Sequence, residues 1–234
     1  MSGPATHSAD AERTVELLNE ALAKWDVVLS DEDIRAYRTY ANMLVEWNAT
    51  RFNLTRLITP EQIALNHFLD SLALIQVCKV PSKALMIDIG TGPGFPGLAF
   101  KILRRDIKLV LIESTAKKLS FCKAVAQEVN LTGVEFVHGR AEDSTVLAHF
   151  CKKASIVTAR AVAPLKTLLE WTAPLASSTG SIVAWKGPKV LEEVSEAYRT
   201  AERLGLKVEV VERKLAVEGI APVSHFYVVC TFRR

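Results

Sequence analysis

Apolar positions follow a helical period through the first third of the chain and a strand-like rhythm from residue 84 onward. Val15, Leu18, Leu22 and Trp25 fall on one face of a first helix. Ser30, with Asp33 three residues on, has the form of a capping box. It opens a second helix with Ile34, Tyr37, Tyr40, Ala41, Leu44 and Trp47 inward. The stretch NATRFNLT (48–55) breaks it. Thr59-Pro60-Glu61-Gln62 then supplies an N-cap, a proline at the first helical position and a glutamine at the third, which predicts a third helix carrying NHFLDSLALI.

After residue 84, short β-prone runs alternate with helical ones. Strands are expected at ALMIDI (84–89), KLVLIE (108–113), VEFVH (134–138), SIVTAR (155–160), SIVAWK (181–186), KVEVVERKL (207–215) and HFYVVCTF (225–232). Helices are expected from about 97, at 115–130, near 144–152, and at 164–175 and 189–204. Strand–helix alternation makes an α/β fold: a doubly wound, mostly parallel seven-stranded sheet. The last two strands are joined by AVEGIAPVS, too short for a crossover, so they pair antiparallel. Residues 1–80 read as a helical extension packing on a catalytic domain over 81–234.

One stretch concentrates candidate chemistry. MIDIGTGPGFPG (86–97) follows the first strand, where doubly wound sheets hold their ligands. Gly90, Gly92 and Gly94 admit backbone angles closed to other residues, and Pro93 and Pro96 stiffen the same turn, so the loop is a preorganised cradle. Gly92-x-Gly94-x-x-Gly97 formally fits a dinucleotide fingerprint. Glu113, ending the second strand, suits the ribose of either NAD or S-adenosylmethionine. Asp88, placed to anchor the amino-acid end of a methyl donor, and the antiparallel finish both favour S-adenosylmethionine. In RAED (140–143), the Ala141 backbone and Glu142 can frame an adenine edge. The bland alternative is a tight turn over a buried acid.

Charge sharpens the picture. The 234 residues carry a formal net charge of +3, unevenly spread: residues 1–80 hold 7 Lys/Arg against 11 Asp/Glu, residues 81–234 hold 22 against 15. A polyanion would be drawn to the part bearing the glycine turn. Cys78, Cys122, Cys151 and Cys230 are scattered, and His138, His149 and His225 lack metal-ligand spacing, so neither a metal site nor a disulfide framework is expected. The polar opening MSGPATHSADAER is no signal peptide and no apolar run spans a membrane, which reads as a soluble, cytoplasmic protein.

With these motifs in order, the chain resembles the small-subunit ribosomal RNA methyltransferase G family, once called glucose-inhibited division protein B. The resemblance rests on NLT (53–55), HFLDSL (67–72), IDIGTGPGFPG (87–97), ESTAKKLSF (113–121), RAED (140–143), ARAVAPL (159–165) and WKGP (185–188). It implies the class I S-adenosylmethionine-dependent methyltransferase fold. It also implies methylation of N7 of one guanine near the decoding region of 16S RNA, on the RNA itself or on the small ribosomal subunit. Carried over by position, the donor site takes in Gly90, Phe95, Glu113, Ser114, Thr115, Ala141, Glu142 and Arg160, beside Asp88, Gly92 and Gly94 from the turn.

Guanine N7 holds a lone pair and no proton, so its methylation needs alignment and no general base. TARAVAPL after the fourth strand is not the N/D-P-P-aromatic motif of amine methylation. Arg160 is expected to position base or donor, and Lys186 to face substrate. His67 and Asp70, one helical turn apart, make a hydrogen-bonded couple or a pocket wall. Arg51 and Arg56 around NLT, with Lys117, Lys118 and Lys186, are the candidate RNA contacts. A monomer is expected. A small-molecule methyltransferase, a nicotinamide-dependent oxidoreductase and a non-catalytic RNA-binding protein are the alternatives.

Overall fold

A computed structural model describes residues 4–233; Met1–Gly3, where the polar opening begins, and Arg234 lie outside the described residues. Helices α1 (Pro4–Ala23) and α2 (Asp31–Thr50) lead the chain, and Ser30 caps α2 with the full reciprocal box to Asp33. Trp25 sits in the turn after α1. Thr59 caps α3 (Pro60–Gln62) in the same manner. The helix does not continue as α. It widens into a π-helical stretch, Ile63–Leu69, before α4 (Asp70–Leu72) and α5 (Leu74–Val77). A π turn inside a helix often marks a functional site, and this one carries the HFLD motif.

The sheet and its helices then run β1 (Leu85–Ile89), α6 (Gly97–Leu103), β2 (Lys108–Glu113), α7 (Ala116–Glu128), β3 (Val134–His138), α8 (Ser144–Phe150) and β4 (Ala154–Arg160). They finish with α9 (Leu165–Thr172), β5 (Ala176–Lys186), α10 (Val190–Arg203), β6 (Leu206–Leu215) and β7 (Val223–Phe232). Strand order is β3-β2-β1-β4-β5-β7-β6. The first five strands are parallel, and β7 lies antiparallel between β5 and β6. β5 begins five residues before the expected strand, where Ala176 pairs with Ala154 ahead of a register shift.

Alternation along the strands splits the core in two. Met86, Leu109 and Leu111 face a cluster shared with α1, α2, the π turn, α6 and α7; Ile87, Val110 and Ile112 face α9 and α10. The helices before residue 80 therefore bury their apolar faces in the same core as one side of the sheet. Tyr37, Tyr40 and Phe68 are its largest side chains from that region. No helix among the described residues is long and apolar enough to cross a membrane.

Candidate active site

The glycine turn is built from below by Asp88. This side chain is fully buried: Oδ2 accepts from Thr91 Oγ1 (2.5 Å) and from the Gly97 N–H (3.0 Å), and Oδ1 from Thr158 Oγ1 (2.7 Å). Burial pushes its carboxyl up to about 6, against the hydrogen bonds from Thr91, Thr158 and Gly97. Asp88, expected to anchor the amino-acid end of a donor through its ammonium or water, faces inward here and ties β1, β4 and the start of α6 to the turn. Gly97 serves this packing, since a Cβ there would come within 2.8 Å of Asp88 and 2.6 Å of Leu111.

Gly90, Gly92 and Gly94 all have positive φ, of +61°, +59° and +98°. They do different work. A Cβ on Gly94 would meet the Tyr40 hydroxyl at 2.4 Å, the group that donates to Pro93 O and pins the turn to α2. A Cβ on Gly90 would strike Val162 at 2.7 Å. At Gly92 a Cβ would project into open space, with only Gly90 O as near as 4.0 Å. Gly92 is thus the turn's open face. The Phe95 ring is buried, lying parallel to Tyr40 (5.1 Å) and His67 (4.6 Å) with the Arg160 guanidinium 5.3 Å from its centre, so it links α2 and the π turn to the end of β4.

Glu113 closes the turn from β2. Its Oε2 accepts the Gly92 N–H at 2.9 Å and its Oε1 the Thr115 N–H at 2.8 Å. Beside it, at the carboxyl ends of β1, β2 and β3, opens a cavity of about 210 Å³ lined by Gly90, Ser114, Ala141 and Glu142. Its apolar walls are Ile112, Val162 and Trp171, none of which the sequence singled out as a site residue. Val162 was within reach, lying inside ARAVAPL; Trp171 reaches the cavity from α9 and carries no local signal.

The second centre is Asp70. Its Oδ1 accepts from Tyr227 Oη (2.8 Å) and His225 Nδ1 (3.0 Å), and its Oδ2 from Arg160 (3.2 Å). Its carbonyl takes Trp185 Nε1–H at 3.1 Å. Burial alone would raise this carboxyl, but the His225 hydrogen bond and the Arg160 charge outweigh it and hold it below the ordinary value. Arg160 also donates to Asn66 O in the π turn, at 2.7 Å, and lies 3.5 Å from His67 Nδ1. A guanidinium only donates, so Nδ1 is the acceptor and His67 Nε2–H donates to Thr55 Oγ1 (3.0 Å). NLT, HFLD and the end of β4 thus converge on one guanidinium. His67 and Asp70 are both buried against Arg160, and Asp70 also borders the larger cavity described below.

Burial, reinforced by Arg160, lowers His67 to about 3, so the ring is neutral in the folded chain. Its unfolded value is near 6.5, so the stability held by the neutral ring is complete above about 6.5 and is lost as pH falls toward 3. Asp88 has the opposite sign, its raised value making stability fall as pH rises through about 6. The two oppose each other in the wild type, so a variant isolates one of them. Denaturant unfolding of wild type and His67→Phe from pH 7 to 4 is expected to diverge by up to about 1.4 kcal/mol per pH unit, wild type losing more. Parallel profiles would contradict this.

A larger cavity, about 720 Å³, lies on the other side of Val162, bounded by Arg160, Trp185, Lys186, His225 and the α10 residues Glu192, Glu193 and Glu196. Ala161 enters it with φ +55°, a strained angle directly after Arg160. Lys186 lines the same cavity. Its buried ammonium donates to Ala163 O (2.8 Å) and pairs with Glu193 (2.7 Å), which also accepts the Leu165 N–H. It clamps the 161–164 loop to α10 and is not a free phosphate contact. The other basic candidates are outward: Arg51 lies over the Trp47 ring at 4.2 Å, and Arg56 and Lys117 are exposed with Lys118 half-buried. Trp47 packs on Phe121 of α7, one turn beyond Lys117 and Lys118, so Arg51 and these lysines share a rim. No cluster of His, Cys, Asp and Glu able to hold a metal ion occurs among the described residues.

Comparison with known proteins adds to this geometry. The family model for rRNA small subunit methyltransferase G matches residues 33–219. A ribosomal RNA small subunit methyltransferase G from Desulfitobacterium hafniense is 43% identical over 184 residues, 79% of this chain and 75% of that protein. One from Caldanaerobacter subterraneus is 36% identical over 219 residues, 93% and 90% of the two chains. Among solved structures, a SAM-dependent O-methyltransferase from Thermotoga maritima superposes with a TM-score of 0.58 at 14% identity, over 82% of this chain and 72% of that one, a likeness of fold.

Proposed function

This chain belongs to the rRNA small subunit methyltransferase G family, and from that premise we propose that it transfers a methyl group from S-adenosylmethionine to N7 of one guanine in 16S RNA. The observation that carries the reading is two adjoining cavities at the carboxyl ends of the strands, sharing Val162 as their common wall. The smaller suits the donor. Ile112, Val162 and Trp171 offer apolar walls to a purine, with Glu142 at its edge, and beside the cavity Gly92 leaves open the space a side chain would fill next to the buried Glu113, whose free lone pairs suit a ribose.

Bound there, S-adenosylmethionine would supply an activated sulfonium methyl group. Guanine N7 brings a lone pair without a proton to remove, so the chain's task is alignment and exclusion of water. Arg160, fixed by Asn66, Asp70 and His67, presents its remaining donors to guanine O6 or to the donor's carboxylate. His67 and Asp70 position it. Asp88 shapes the turn. Lys186 and Glu193 hold the 161–164 loop between the cavities.

Residues 1–80 and 81–234 divide the work. The helical extension walls the substrate side and the sheet domain binds the donor, while Arg51, Arg56, Lys117 and Lys118 meet RNA phosphates along the rim. The partner is the small-subunit RNA, naked or assembled, met in the cytoplasm by a monomer. Nucleoside mapping of small-subunit RNA from cells lacking the protein tests the activity. One 7-methylguanosine is expected to vanish and to return with wild type but not with Gly92→Asp; its persistence would refute the reading. Lys186→Met is expected to lower the turnover rate about tenfold with RNA affinity unchanged, by loosening the loop. A loss confined to RNA affinity would make it a phosphate contact after all.

A further inference from the structure

His225 lies near the start of β7 and forms part of the larger cavity's wall. Asp70, held ionised, only accepts, so the contact at 3.0 Å puts the ring proton on His225 Nδ1. A neutral ring then has a bare lone pair on Nε2. That atom is buried and has no hydrogen-bond partner among the described residues. The carboxylate beside it is saturated by Tyr227, His225 and Arg160, which leaves Nε2 the one unsatisfied acceptor of the network. A buried acceptor left without a partner in a cavity wall calls for a donor from outside the chain.

Resting on the guanine-N7 reading, we infer that His225 reads the target base, its Nε2 accepting a hydrogen bond from guanine N1–H. Attack through N7 cannot by itself choose guanine, because adenine carries the same N7 lone pair. The opposite edge can. Guanine N1 donates, whereas adenine N1 is an acceptor and would face Nε2 lone pair to lone pair. The contact also serves the rate. As N7 gains its methyl group the ring becomes cationic and N1–H more acidic, so the hydrogen bond strengthens toward the transition state. No proton moves: the N7 lone pair becomes the new N–C bond, the C–S pair stays with sulfur, and N1 keeps its hydrogen.

The test is a cycle between protein and base. Small subunits are reconstituted with ligated RNA carrying guanine or 2-aminopurine at the target; the latter keeps N7 and the 2-amino group but has neither the hydrogen on N1 nor O6, so only the part of its loss that depends on His225 reports N1–H. His225→Asn retains an amide N–H toward Asp70 and has no atom at the place of Nε2; His225→Gln places an amide there. Wild type is expected to slow about 100-fold on 2-aminopurine. His225→Asn is expected to slow about 50-fold on guanine, with donor binding intact, and to lose about tenfold less than wild type does on 2-aminopurine, keeping the loss that comes with O6. His225→Gln regains about tenfold on guanine, and its amide, able to turn an N–H to bare N1, narrows the gap between the bases; it carries the comparison if the asparagine variant does not fold. Equal losses on 2-aminopurine for wild type and variants overturn the inference. Coupling found instead with Glu196→Gln overturns it in favour of α10. Wild type yielding no 7-methylguanosine defeats the guanine-N7 reading itself, and this inference with it.

Discussion

Replacing Gly92 with aspartate abolishes S-adenosylmethionine binding while leaving the chain folded: that is the result expected from a calorimetric titration paired with thermal unfolding. The backbone there has φ +59°, which costs a non-glycine residue about 1–2 kcal/mol. Space is not the obstacle, since a Cβ meets nothing nearer than Gly90 O at 4.0 Å. The new carboxylate would occupy the cradle and sit beside Glu113, whose Oε2 already accepts the Gly92 N–H. Affinity should fall at least about 100-fold through exclusion and like-charge repulsion. Gly94→Ala makes the contrast: its Cβ would stand 2.4 Å from the Tyr40 hydroxyl and 2.8 Å from Leu98, so it fails by unfolding. Undiminished binding by Gly92→Asp would move the donor away from the turn.

The second large effect is at Arg160. Arg160→Ala should lower single-turnover methyl transfer about 1000-fold, the scale of losing a preorganised donor at developing charge. It should also cost about 3 kcal/mol of stability, because buried Asp70 loses its ion pair and keeps only Tyr227 and His225. Adding Asp70→Asn removes the stranded charge. The double variant is expected to recover part of the stability and none of the activity, and that split separates positioning from folding. A rate within tenfold of wild type for Arg160→Ala would place the reacting base elsewhere.

Local signals in the sequence were reliable where the physics is local. The capping boxes at Ser30 and Thr59 and the strand alternation depend on neighbours a few residues away, and each stands where the pattern put it. The π turn is different. IALNHFL reads as ordinary helix, and its widening accompanies a contact from Arg160, 94 residues on, to Asn66 O. The early start of β5 likewise depends on Ala154. At the site, residue type was legible and direction was not. Asp88 and Lys186 stand at the expected strand ends, yet one points into the core and the other is claimed by Glu193. His225 drew no attention as a site residue because HFYVVCTF reads only as a strand, and its partner lies 155 residues away.

The placement of β7 also has a consequence for how the molecule comes into being. This strand follows β6 in the chain, but it lies between β5 and β6, pairing Ser181–Lys186 on one side and Leu206–Leu215 on the other. On a translating ribosome, β6 therefore has no sheet neighbour to join until Phe232 has cleared the exit tunnel. The same ten residues bring His225 and Tyr227 to Asp70, so a nascent chain cannot assemble this centre early, and a chain cut before Val223 leaves β6 without its partner strand.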